Sequence, residues 1–233
     1  MTPRPLHLLA ADAVLACVRN AIPYSMTLFA GVAITELARM TLLNDVQTQL
    51  FFGFIVQPIQ IAIVYAFATA PSDARGDTFY RAFERSWAVI LIDFAMNFIQ
   101  VPALASVQSG GLFDAFLGGL LMSATAFLIF ADVDAVVGSH TSLVGLIPSA
   151  LLRSIRVIVS RRIYPRAFLI LMLQIAVYAA SVGFEGLLAH RFSPGFASTI
   201  SDVVLQTITV APLAAFTALV YREATSRESG TDE

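Results

Sequence analysis

Six apolar stretches, each close to the length of a bilayer crossing, divide this 233-residue chain: Ala21–Ala38, Leu50–Ala70, Trp87–Val107, Gly111–Ala131, Ala167–Ala189 and Ile200–Tyr221. A helix crosses the hydrocarbon core in about 20 residues. The pattern therefore predicts an all-α integral membrane protein with six transmembrane helices. Composition points the same way: 58% of the residues are hydrophobic and 13% charged, against about 25% charged in soluble domains. A net charge of −2 argues against a nucleic-acid partner. The single cysteine, Cys17, excludes an intrachain disulfide and a cysteine-based metal cluster.

The arginines set the orientation. Arg4 and Arg19, then Arg75, Arg81 and Arg85, then Arg153, Arg156, Arg161, Arg162 and Arg166, and finally Arg222 and Arg227 fall on one side of the six stretches. Only Arg39 and Arg191 fall on the other. The positive-inside rule then places both termini in the cytoplasm of a bacterial cell, with the chain in the inner membrane. Val14-Leu15-Ala16-Cys17 has the outline of a lipoprotein signal, but Asp12 interrupts the apolar run and Leu15 is bulky where a small residue is usual. Met1–Ile22 is accordingly read as mature protein.

A short motif recurs three times. Ala16-Cys17-Val18-Arg19-Asn20, Ala82-Phe83-Glu84-Arg85-Ser86 and Ala150-Leu151-Leu152-Arg153-Ser154 share Ala-x-x-Arg-(Asn/Ser), with arginines 66 and 68 residues apart. Repetition at such a period predicts a repeated structural unit. The expected units are residues 8–70, 77–137 and 145–222, within one membrane domain (1–225) that ends in a disordered tail (226–233). Each unit would hold an amphipathic cytoplasmic-side helix and two spans. The helical period puts Leu8, Leu15, Val18 and Ile22 opposite Asp12, Arg19 and Asn20. It sets Phe79, Phe83, Trp87 and Ile90 opposite Asp77, Arg81, Glu84 and Arg85, and Ile147, Leu151, Ile155 and Ile158 opposite Ser149, Arg153, Arg156 and Ser160. Tyr164-Pro165-Arg166 permits a change of direction before the fifth span. Arg153, Arg156, Arg161, Arg162 and Arg166 are candidates for lipid headgroup contact, each worth about 1 kcal/mol.

The alternation of amphipathic helix and paired spans, with Arg85-Ser86-Trp87, Arg153-Ser154-Ile155 and the closing Leu219-Val220-Tyr221-Arg222-Glu223, resembles the membrane domain attached to some bacterial glycerophosphodiester phosphodiesterases and its stand-alone six-span relatives of unknown function. The soluble phosphodiesterase domain has no counterpart here, so the resemblance implies no catalysis.

Polar residues inside spans cost about 2.5–3.5 kcal/mol when ionisable, which makes each one a candidate site. Asp93, Asn97 and Gln100 share a face of the third span; Asp202, Gln206 and Thr209 share one in the sixth; Gln174, Tyr178 and Glu185 line the fifth; Gln57 and Gln60 flank Pro58. The candidate intramembrane polar site is Asp93, Asn97, Gln100, Gln174, Tyr178, Asp202 and Gln206, either lining a cavity or holding helices together. Asp93, about 9 Å into its span at 1.5 Å per residue, has no basic partner within any span core. Asp132 and Asp134 are expected at the inner surface, and Glu36, Asp45, Asp114, Glu185 and Asp202 near the outer one. Gly118-Gly119, with Ser123 and Ala124, are expected to form a close-approach face. Pro58, Pro102 and Pro212 free backbone carbonyls.

No G-x-S-x-G, H-E-x-x-H or P-loop pattern is present, and His7, His140 and His190 all lie outside the spans. The sequence thus points to no catalytic residue, metal or cofactor. It points to a non-enzymatic structural, scaffolding or accessory subunit of a membrane process, with membrane lipids and other membrane subunits as partners. The alternative is a small-solute transporter or substrate-binding membrane subunit using an intramembrane polar cavity.

Overall fold

The computed structural model describes residues 4–70, 75–108, 111–138, 145–191, 201, 203–204 and 206–226. Among them every regular element is helical. In chain order these are α1 (Leu6–Arg19), α2 (Ala21–Thr41), α3 (Asp45–Phe51), α4 (Gln57–Thr69), α5 (Arg75–Gln108), α6 (Leu112–Thr125), α7 (Ala131–Val137), α8 (Leu146–Ser160), α9 (Tyr164–Ala189) and α10 (Ala211–Ser226). Ala21–Thr41, Phe52–Thr69, Gly76–Ala103 and Leu112–Val137 are long and apolar enough to cross a membrane, and α9 begins with the shorter apolar run Tyr164–Val177. The chain is a membrane protein. The predicted sixth span lies partly outside the described residues.

Two prolines shape the helices that carry them. Pro58 has no N–H to donate and its ring crowds the carbonyl four residues back, at Phe54. A π-helical turn at Phe52–Val56 joins α3 to α4 there, widening the ring that the proline would otherwise break. Pro212 is preceded in the same way by a π turn at Gln206–Val210. Pro102 sits inside α5 without one.

Turn chemistry fixes two further boundaries. Asn44 caps α3 reciprocally: its Oδ1 accepts from the Gln47 N–H (2.9 Å) and its own N–H donates to Gln47 Oε1 (3.1 Å), a capping box. α8 closes with the Ile163 N–H on the Ile158 carbonyl and the Arg162 N–H on the Val159 carbonyl. That is a Schellman motif with Arg162 in the left-handed position at φ 53°. Pro165 then stands in the first turn of α9, where its missing N–H costs nothing.

α4 is the hub and packs against α5, α10, α7, α1 and α2, while α6 pairs with α5 and α8 with α7. The largest fully buried side chains, Phe130, Ile63, Ile92, Ile129, Leu146, Ile158, Ile170 and Leu171, place the core where α4, α5, α7, α8 and α9 meet. α2 stands at the edge with Met26, Phe29, Leu37 and Met40 exposed, as suits a helix bathed in lipid.

The amphipathic faces differ from the expected ones. In α8 the buried line is Leu146, Ala150, Ser154, Val157 and the expected Ile158, while Ile155 is exposed. In α5 it is Ala82, Ser86 and Val89, and Phe79 and Phe83 are exposed. In α1 it is Leu9 and Ala13, and Leu8, Leu15 and Val18 face outward, as does Ile22 at the start of α2. Small residues let backbones approach closely, and lipid solvates the large apolar side chains as well as a core would. The three motif copies also meet different boundaries. The chain breaks directly after Arg19, runs unbroken through Arg85 in a helix of 34 residues, and turns seven residues after Arg153.

Candidate functional site

The fourth apolar stretch is not one helix. α6 ends at Thr125, a 3-10 turn covers Ala126–Leu128, and α7 starts at Ala131. A break inside a bundle leaves backbone groups that must find partners. Ser154 Oγ donates to the Phe127 carbonyl (2.7 Å) and accepts from the Phe130 N–H (3.2 Å). Tyr164 donates to the Ser123 carbonyl (3.1 Å). At the far end of α7, Arg85 Nη1 donates to the carbonyls of Val136 (3.2 Å) and Gly138 (2.6 Å), a cation placed where the helix dipole favours it. Residues from α8 and α9 thus complete the α6–α7 break, and Arg85 of α5 caps the other end of α7.

α7 carries Asp132 and Asp134 two residues apart, so their side chains leave the helix in different directions. Asp134 is 0% exposed. Its Oδ1 accepts from the Tyr221 hydroxyl and lies 3.5 Å from Arg153 Nη1. Asp132, 5% exposed, has an Oδ1 with no hydrogen-bond partner. Its carboxyl lies beside that of Asp93, and Tyr65, 3% exposed, stands within electrostatic reach of both. Asp134 is occupied by Tyr221 and Arg153. Among the described residues no group of three or more histidine, cysteine or acidic side chains is placed to hold a metal ion.

Asp132 and Asp134 are buried, because α7 packs against α4, α5 and α8. Asp132 stands beside Asp93, whose neighbour is thus a second acid and not a base. The close-approach face expected at Gly118-Gly119 is absent from Gly119, where an added methyl would meet nothing within 4 Å. The tight approach is at Gly31 of α2, where a Cβ would come within 2.6 Å of both Gln60 Nε2 and Val56 Cγ1.

The other candidate residues are scattered. Asn97 donates to the Asp93 carbonyl of its own helix (2.9 Å), and Gln100 and Gln174 are half-buried. Asp202 and the side chains of Tyr178 and Gln206 lie outside the described residues. Gln60 donates to the Thr27 carbonyl (3.4 Å) and borders a cavity of about 110 Å³ between α2 and α4, with its Oε1 unpartnered. Of the arginines expected at headgroups, Arg153 reaches Asp134 and Arg166 reaches Glu223 (3.5 Å) and the Arg4 carbonyl (2.8 Å). Arg156 and Arg162 are exposed, and Arg161 is half-buried with an unpartnered Nε.

Tyr65 and Tyr221 were not among the candidates, yet the sequence carries a signal for them. Val64-Tyr65-x-x-Ala68-Thr69 and Val220-Tyr221-x-x-Ala224-Thr225 repeat one pattern. Each threonine bonds back to the carbonyl of its tyrosine; Tyr221 donates to Asp134, and Tyr65 stands within electrostatic reach of Asp132 and Asp93. The chain matches no protein-family model, no curated protein and no solved structure.

Proposed function

We propose that this chain is a non-enzymatic six-span protein of the bacterial inner membrane, serving as a structural, scaffolding or accessory subunit of a membrane process. The carrying observation is that polar side chains from α5, α8 and α10 all end on α7. Arg85, Arg153, Ser154 and Tyr221 close one broken helix, which is the work of a lock and not of a path. The lipid-facing surface of α2 offers contact to membrane lipids or to other membrane subunits. In this reading the stand-alone relatives that the chain resembles are the nearest functional class.

Six spans with cytoplasmic ends draw support from one contact. The Arg4 N–H donates to Glu223 Oε1 (2.8 Å), so the two ends of the chain lie on the same side, as an even number of crossings requires. Arg222 on the Thr69 carbonyl (3.2 Å) and Arg85 on the Gly138 carbonyl bring the ends of the second and fourth spans to that side too. Its arginines make it the cytoplasmic side. Three related units, 8–70, 77–137 and 145–222, fit the recurring Ala-x-x-Arg motif. Reporter fusions test the topology: Asp45, Gln108 and Ser193 should report the outside, and Asp73, Ser139 and Glu233 the inside. An outer C-terminus would sink it.

Purification in native lipid, followed by identification of what accompanies the protein, tests the function. A stoichiometric membrane-protein partner is expected. The second reading, a proton- or cation-responsive solute path, is favoured by the Asp93–Asp132 contact and the unpartnered Asp132 Oδ1. It requires that Asp93→Asn abolish solute or proton uptake into proteoliposomes without loss of folded protein. A bound solute in place of a protein partner would decide for it.

A further inference from the structure

The three motif arginines have different fates. Arg85 ends on the carbonyls of α7 and Arg153 on Asp134. Arg19 is exposed and makes no hydrogen bond or ion pair among the described residues. It borders a pocket of about 760 Å³ between α1, the end of α4 and the end of α10, within the range of about 300–1,000 Å³ typical of small-molecule sites.

The charges around this pocket pair off unevenly. Arg4 is taken by Asp12 (2.9 Å) and Glu223 by Arg166 (3.5 Å). Arg19 and Arg222 remain without a carboxylate, Arg222 being held only by the Thr69 carbonyl. The wall also carries Leu15, Phe67 and Leu219. Leu15 continues outward into the exposed stripe of Leu8, Val18 and Ile22. Two guanidinium groups without a carboxylate partner, beside an apolar wall that opens onto a lipid-facing stripe, match a phosphate carried on an apolar tail.

We propose that this pocket binds the phosphate of an anionic headgroup, with Arg19 as the receiving cation and Arg222 beside it. A membrane phospholipid and a free phosphate share this chemistry. The apolar stripe favours the lipid.

The test uses the full chain in phosphatidylcholine nanodiscs with and without phosphatidylglycerol, with retained lipid counted by native mass spectrometry. Phosphatidylglycerol should be retained over phosphatidylcholine, and Arg19→Gln should weaken that retention roughly fivefold. Arg81→Gln, which removes an exposed arginine of α5 outside the pocket, should leave it unchanged. Equal thermal unfolding of the variants will establish that both are folded. Saturable, Arg19-dependent binding of inorganic phosphate without lipid retention would uphold the phosphate site and assign it to a soluble ligand. Equal retention of both lipids with no phosphate binding, or equal loss in the Arg19 and Arg81 variants, would overturn the proposal.

Discussion

The hydroxyl of Tyr221 donates its hydrogen bond to the carboxylate of Asp134, 87 residues earlier in the chain. The bond ties the last helix to the short helix at the end of the fourth span. Arg153 reaches the same oxygen from α8, so three segments meet at one buried acid. Removing the hydroxyl with Tyr221→Phe should cost about 1–3 kcal/mol, because a buried acceptor loses its donor. A double-mutant cycle with Asp134→Asn, read by denaturant unfolding in detergent, should show coupling of about 0.5–3 kcal/mol. Strict additivity would mean that the contact contributes nothing.

Ser154→Ala leaves the Phe127 carbonyl and the Phe130 N–H without their partner. The expected loss is about 1–3 kcal/mol. Ser160→Ala, on the exposed end of α8, should stay within about 0.5 kcal/mol of the parent. Hydrogen exchange at the Phe130 amide should accelerate in the first variant only.

Gly31→Ala brings a methyl against Gln60 and Val56 and should destabilise by about 1–3 kcal/mol. Val56→Ala in the same chain should return part of that loss. Gly119→Ala meets open space and should stabilise its helix by about 0.5–1 kcal/mol. Thermal unfolding of the four proteins gives the ordering, and a neutral Gly31→Ala would show that α2 and α4 are not in tight contact.

Arg162 holds a left-handed conformation that glycine adopts without strain. Arg162→Gly should therefore stabilise the α8–α9 turn by about 1 kcal/mol. A lower unfolding midpoint for this variant would show that the arginine side chain contributes more than its backbone costs.

Burial pushes the Cys17 thiol up to about 11 from its usual 9.0. The unfolded chain therefore releases this proton at lower pH than the folded one. The contribution to stability is intact below pH 9 and is lost as the pH rises through 11. Because the thiolate is the nucleophile, iodoacetamide should modify folded protein at pH 8 much more slowly than the same chain denatured. Equal rates would place the thiol in water.

The apolar stretches were legible because bilayer crossing is a property of length and composition that each segment carries alone. The second stretch, Leu50–Ala70, and the first appear as helices near their predicted bounds. Arg85 and Ser154 were marked by the repeat, though not their destinations. Phe79, Phe83 and Ile155 were misjudged because hydrophobic periodicity assumes water outside. In lipid, Phe83 and Ile155 gain little from turning inward, whereas Ala82, Ala150 and Ser154 gain close backbone contact.

The sequence by itself determined that the chain is helical and membrane-embedded. Both follow from local hydropathy. Only the tertiary structure decided that the fourth stretch breaks at Ala126–Ala131, that Asp132 meets Asp93, and that Asp134 is held by Tyr221 and Arg153. A break in a helix creates unsatisfied backbone groups whose partners come from distant segments, so its place is set by Ser154 and Tyr164 as much as by the residues that bend.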